Sequence, residues 1–110
     1  MKNRKAIPVE QYMKAGAMFR LTKELLMKLY AEKSPFFSAA DRRRFDKALK
    51  AVNEVCSAAD GRMFKEHPEL SNDYLDVFYG DLDHEPRNTV DAGVIEMARE
   101  ALDELFREAD

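Results

Sequence analysis

Ser71-Asn72-Asp73-Tyr74-Leu75-Asp76-Val77-Phe78-Tyr79-Gly80 is the stretch on which the fold class turns. Its middle, Tyr74 to Tyr79, has the aromatic and β-branched composition of a strand. Tyr74 and Phe78 also stand four apart, as do Leu75 and Tyr79, with Ser71 placed as an N-cap and Gly80 just past a helix end. One strand without a partner makes no sheet. The spacing therefore predicts a short helix over 72–79, and with it an all-α protein.

Downstream, residues 81–87 form an acidic loop that contains Pro86. Asn88 then offers a cap with acidic Asp91 three positions on, and the last helix is predicted to run to about residue 108. Upstream, Ser38 and Asp41 make a capping box that starts a second helix. That helix either stops at Asp60-Gly61 or continues through Met63 and Phe64 to end before Pro68, with Gly61 inside it costing about 1 kcal/mol relative to Ala. The first helix is predicted over 9–32. Pro8 suits its first position, and Ser34-Pro35 ends it.

On helical wheels the first and last helices are apolar over about half their circumference. In the first, Tyr12, Ala15, Met18, Phe19, Leu21, Leu25, Leu26 and Leu29 fill that half, and Arg20, Lys23, Glu24 and Lys28 fill the solvated one. In the last, Val90, Val94, Ile95, Met97, Ala98, Ala101, Leu102, Leu105 and Phe106 do the same. The second helix carries a narrower stripe with several small residues. The expected architecture is a small bundle of three long helices plus one short helix, mostly antiparallel, in a single helical domain over 1–110 with a basic N-terminal arm at 1–7. Stripes this wide need two neighbours each. Either both helices are central in the monomer, or part of each is buried against a second copy; the latter predicts a homodimer whose interface includes Met13, Met27, Tyr74, Phe78 and Tyr79.

Composition narrows the function classes. Among 110 residues, 45% are hydrophobic and 35% charged, with four Gly and four Pro, as in a globular protein built of a few long elements. No apolar run approaches the roughly 20 residues of a membrane span, and the start of the chain lacks a signal-peptide core. One cysteine, Cys56, makes no internal disulfide. These features point to a cytoplasmic protein with no membrane partner.

Charge is sorted along the chain: residues 1–66 carry a net +7 and residues 67–110 a net −10. Lys2, Arg4 and Lys5 in the arm, with Arg42, Arg43, Arg44, Lys47 and Lys50 at the start of the second helix, form a candidate phosphate-binding set. The overall net charge of −3 opposes that reading and favours a solvated or carboxylate-paired basic face. Three arginines at a helix start also oppose its dipole, so they have a use beyond that helix.

The acidic stretch from Asp73 to Asp91 raises a divalent-metal site, with Asp81, Asp83 and His84 as ligands. Its spacing does not fit a calcium loop. Counting from Asp81, Pro86 falls where Gly is required and Ala92 where a bidentate Glu is required. Cys56 shares a face with Leu49, Val52 and Ala59 and reads as a small apolar side chain, becoming a nucleophile only if the fold brings His67 or His84 to it. No catalytic residue, cofactor or small-molecule substrate is indicated. The expected function is a small helical protein-interaction module, an adaptor or regulator whose partner is another protein or a second copy. The alternatives are a nucleic-acid-associated protein using the basic first half and a divalent-metal-dependent enzyme at 73–91.

Overall fold

A computed structural model describes residues 6–107, and among these there are three long α-helices and no strand. Helix α1 spans Val9–Lys33, α2 spans Ala39–Glu66 and α3 spans Thr89–Arg107. Pro8 is the N-cap of α1 rather than its first helical residue, and its carbonyl accepts from the Gln11 and Tyr12 amides. Helix α1 breaks at a single 3-10 turn, Ser34–Phe36, where Pro35 has no amide to continue the ladder.

The capping box is present: Ser38 Oγ accepts from the Asp41 amide at 3.1 Å and Asp41 Oδ2 from the Ser38 amide at 3.2 Å. The Ser38 amide first, then the Ser38 hydroxyl and Arg44, hold the Asp41 carboxyl below its ordinary range. Of the two endings open to α2, the longer is realised. Gly61 lies inside the helix with open space where a side chain would be, and Met63 beyond it is fully buried. At 28 residues α2 is about 42 Å long, which sets the 46 Å long dimension of the molecule.

Helix α1 lies between the other two. Its contacts with α2 run in opposite senses: Tyr30 stacks on Phe45, Lys23 reaches Asn53, and Tyr12 meets His67 edge-on. With α3 the numbers rise together, since a Cβ on Gly93 would touch Met13, and Met18 shares a hollow with Met97 and Ala101. The core is drawn from all three helices and from the link between α2 and α3: Tyr12 and Ala17 of α1, Cys56 and Met63 of α2, Val94, Ile95 and Ala98 of α3, and Val77 and Phe78 of the link.

That link departs from the expected short helix. Ser71 does cap, but only one 3-10 turn forms, Asn72–Tyr74, and residues 75–79 continue as turns. A helix over 72–79 would turn the carbonyls of 76–78 toward amides four residues on. Here the Asp76 carbonyl does accept from the Gly80 amide, but those of Val77 and Phe78 are taken by side chains of α1, and Arg20 adds a further bond at Asp76. Arg20 Nε donates to the Val77 carbonyl at 3.1 Å, Nη2 to Asp76 at 2.6 Å and Nη1 to Asp81 at 3.1 Å, while Lys23 Nζ donates to Phe78 at 2.7 Å.

Arg20, expected on the solvated side of α1, is therefore 3% exposed. Its planar fork of five N–H groups suits a segment whose carbonyls, those of Val77 and Asp81 among them, point away from a regular helical ladder. The link also approaches α1 closely at Gly16, where a Cβ would come within 2.5 Å of the Val77 carbonyl oxygen. Phe78, fully enclosed and 6.1 Å centroid to centroid from Phe19, anchors it. Burying that ring contributes about 1.5–3 kcal/mol.

Candidate docking groove

The two amphipathic stripes outrun their intramolecular cover. In α3 the N-terminal half is buried at Val94 and Ala98, whereas Leu102 is 43%, Leu105 66% and Phe106 68% exposed. In α1 the buried residues stop at Arg20, and Leu25 is 67% exposed. Between these two C-terminal halves runs an open groove of about 540 Å3, walled by Met18, Leu21, Thr22, Leu25 and Lys28 of α1 and by Ala101, Leu102, Glu104 and Leu105 of α3. Met18, Ala101 and Glu104 also line a smaller hollow of about 200 Å3 with Lys14, Met97 and Glu100, so the two form one channel along the α1–α3 seam. An apolar floor with a polar margin of this kind is what a partner helix buries.

The floor is deepened by Ala101, whose methyl leaves the helices room on either side. The margin is charged by wall: Lys14 and Lys28 stand on α1, and Glu100 and Glu104 on α3, with Glu24 the exception on the α1 side. Lys28 already pairs with Glu32 at 3.2 Å, an exposed contact worth little on its own.

The interface residues expected from sequence are only partly at the surface. Phe78 is fully buried within the monomer and has no area to give a partner; Met13 and Tyr74 pack against the same core. Met13 lies beside Gly93 of α3, and the link carries Tyr74 and Phe78 inward. Met27 and Tyr79 are 55% and 42% exposed and meet at a separate hollow of about 180 Å3, where the Lys23 ammonium lies 4.8 Å from the Tyr79 ring centroid. The groove residues Leu25, Leu102 and Leu105 were not singled out by sequence, although the width of the stripes was the signal that pointed to them.

The basic set divides. Lys2, Arg4 and Lys5 lie outside the described residues. Arg42, Arg43, Arg44, Lys47 and Lys50 are all exposed on the first turns of α2. Arg42 donates to the Ser34 carbonyl at 3.3 Å and Arg44 pairs with Asp41 at 3.1 Å. Arg43, Lys47 and Lys50, at steps of four and three, line one side of the helix.

Asp81, Asp83 and His84 do not build a metal site. His84 Nδ1 lies 3.0 Å from Asp81 and 4.0 Å from Asp83, all three side chains face solvent, and among the described residues no group of three His, Cys, Asp or Glu side chains is placed to hold a metal ion. Their loop is held from elsewhere, with Asp81 giving its backbone carbonyl to Arg20. His67 serves the chain start: its Nε2 lies 2.6 Å from the Ile7 carbonyl oxygen, beside Tyr12 and Glu66, which bond to each other at 2.7 Å. Cys56 is fully buried. Neither imidazole is directed to it by the contacts that hold these rings.

Comparison with protein-family models, with curated proteins and with solved structures finds no match for this chain. Among the described residues no helix is long and apolar enough to cross a membrane.

Proposed function

We propose that this protein is a non-catalytic interaction module that takes an amphipathic helix into the groove between the C-terminal halves of α1 and α3. The observation that carries the reading is the exposure of Leu25 and Leu105 on facing walls of one apolar channel. Leaving such side chains in water forgoes about 1.5–3 kcal/mol each on full burial, a free energy that a docked helix would recover. In the same reading the protein works in the cytoplasm, where the thiol of Cys56 stays reduced.

The test is a methyl-NMR titration of the protein with a synthetic helical peptide that carries Leu at steps of three and four and mixed Lys and Glu elsewhere. Saturable shifts at Met18, Leu25, Leu102 and Leu105, abolished by Leu105→Glu, are the expected result. Shifts that spread over the molecule, or none at all from a monomeric chain, would contradict it.

The exposed line Arg43, Lys47 and Lys50 favours a second reading, in which α2 contacts a polyanion. Gel retardation that weakens steeply with salt and is lost in Arg43→Glu/Lys47→Glu would promote that reading. Absence of retardation at low salt would remove it.

A further inference from the structure

We infer that the occupant of the α1–α3 groove is the same groove of a second copy, packed about a two-fold axis that runs along the channel. This rests on the groove being a docking surface and names what fills it. The channel extends along α1 from Lys14 to Lys28, about 21 Å of helix. Both of its walls are helices that advance in the same direction, so one α1–α3 pair is half of a four-helix layer, and a second pair completes it.

Charge chooses the partner and the axis. A helix of single sign would meet attraction at one wall and repulsion at the other, because Lys14 and Lys28 are on α1 and Glu100 and Glu104 on α3. A second copy carries both signs in the same places. Two orientations bring the apolar floors together. An axis along the channel sets each α1 over the α3 of the other copy, so lysine wall faces glutamate wall twice. An axis across the channel sets α1 over α1 and α3 over α3, with like charges opposed. The first is attractive throughout apart from Glu24; the second is repulsive. An isologous contact of this kind closes on itself and leaves a dimer rather than a filament.

The measurement is sedimentation equilibrium of the wild-type chain over a wide concentration range, at low and at moderate salt. A monomer–dimer equilibrium whose Kd rises several-fold between about 50 and 300 mM salt is expected, because the facing charges are exposed and screened. Leu25→Glu and Leu105→Glu should each leave only monomer while the circular-dichroism spectrum is retained, since both side chains face solvent in the monomer. Lys14→Glu/Lys28→Glu and Glu100→Lys/Glu104→Lys should each weaken self-association, and mixing the two variants should restore dimer.

A chain that stays monomeric at every concentration yet still binds the amphipathic peptide in the groove would overturn the second copy and leave the docking reading standing. A monomer that binds no peptide would overturn both. A dimer that tightens with salt would overturn the charge-paired arrangement.

Discussion

The Arg20 guanidinium lies 2.7 Å from the Asp91 carboxylate, with the two side chains 1% and 7% exposed, and this ion pair ties α1 to the start of α3. It is a close charge contact rather than an aligned hydrogen bond at Asp91 Oδ1, while Oδ2 accepts from the Arg87 amide at 3.0 Å. The same guanidinium holds the link carbonyls, so one side chain of α1 secures both the link and the start of α3. Removing one partner leaves the other charged and buried. Asp91→Ala is expected to lower unfolding free energy by about 3–5 kcal/mol, and Arg20→Lys to lose most of the same, since an ammonium does not reproduce the fork. Chemical denaturation checks both.

The same pair sets an acid limb. Burial raises the Asp91 carboxyl, but the Arg87 amide and then the Arg20 guanidinium outweigh it and leave the group below its ordinary value. A carboxyl lowered by folding stabilises fully above its unfolded value near 3.9 and loses that contribution as pH falls through the folded value. Wild type should therefore lose stability below about pH 4, and Asp91→Asn should be less stable at neutral pH with a flatter acid limb.

Asp60 has the opposite sign. Its Oδ1 is buried without a partner, and burial first, then the charge of Asp76, pushes its carboxyl up. A folded state that holds the proton more tightly loses stability as pH rises from the unfolded value through the folded one. Asp60→Asn should raise Tm at neutral pH, and the gain should vanish below about pH 4. A thermal-melt series against pH reads this directly.

Two glycines should respond in opposite directions. Gly16→Ala would drive a methyl into the Val77 backbone, 2.5 Å from its oxygen, and should destabilise by about 1–3 kcal/mol. Gly61→Ala meets nothing within 4 Å and should stabilise by up to about 1 kcal/mol through helix propensity. Paired melts of the two variants check the close approach of the link to α1.

Helical spacing and caps made much of this fold legible in the sequence. The Ser38–Asp41 box, the α2 stripe through Met63 and the Asn88 side chain, which accepts from the Asp91 amide at 2.8 Å, were all readable from local patterns. Residues 72–79 were not, because their structure is decided by donors from α1, more than fifty positions away in sequence. For the same reason Arg20 reads as a surface cation until the link is in place. Asp91, marked in sequence as a capping acid, instead turns to Arg20 and to the Arg87 amide. The candidate site was half legible: stripe width signalled missing cover on α1 and α3, but which end lacked it depended on where Val77 and Phe78 insert.

A protein that works through the α1–α3 groove must meet its partner at Leu105 and not along the basic side of α2. The most direct measurement is in-cell photo-crosslinking with benzoylphenylalanine placed at Leu105, compared with the same probe at Lys47 on the basic side of α2. Adducts that form from position 105, disappear on adding Leu25→Glu and are absent from position 47 are the expected result. Adducts from position 47 with none from position 105 would contradict it.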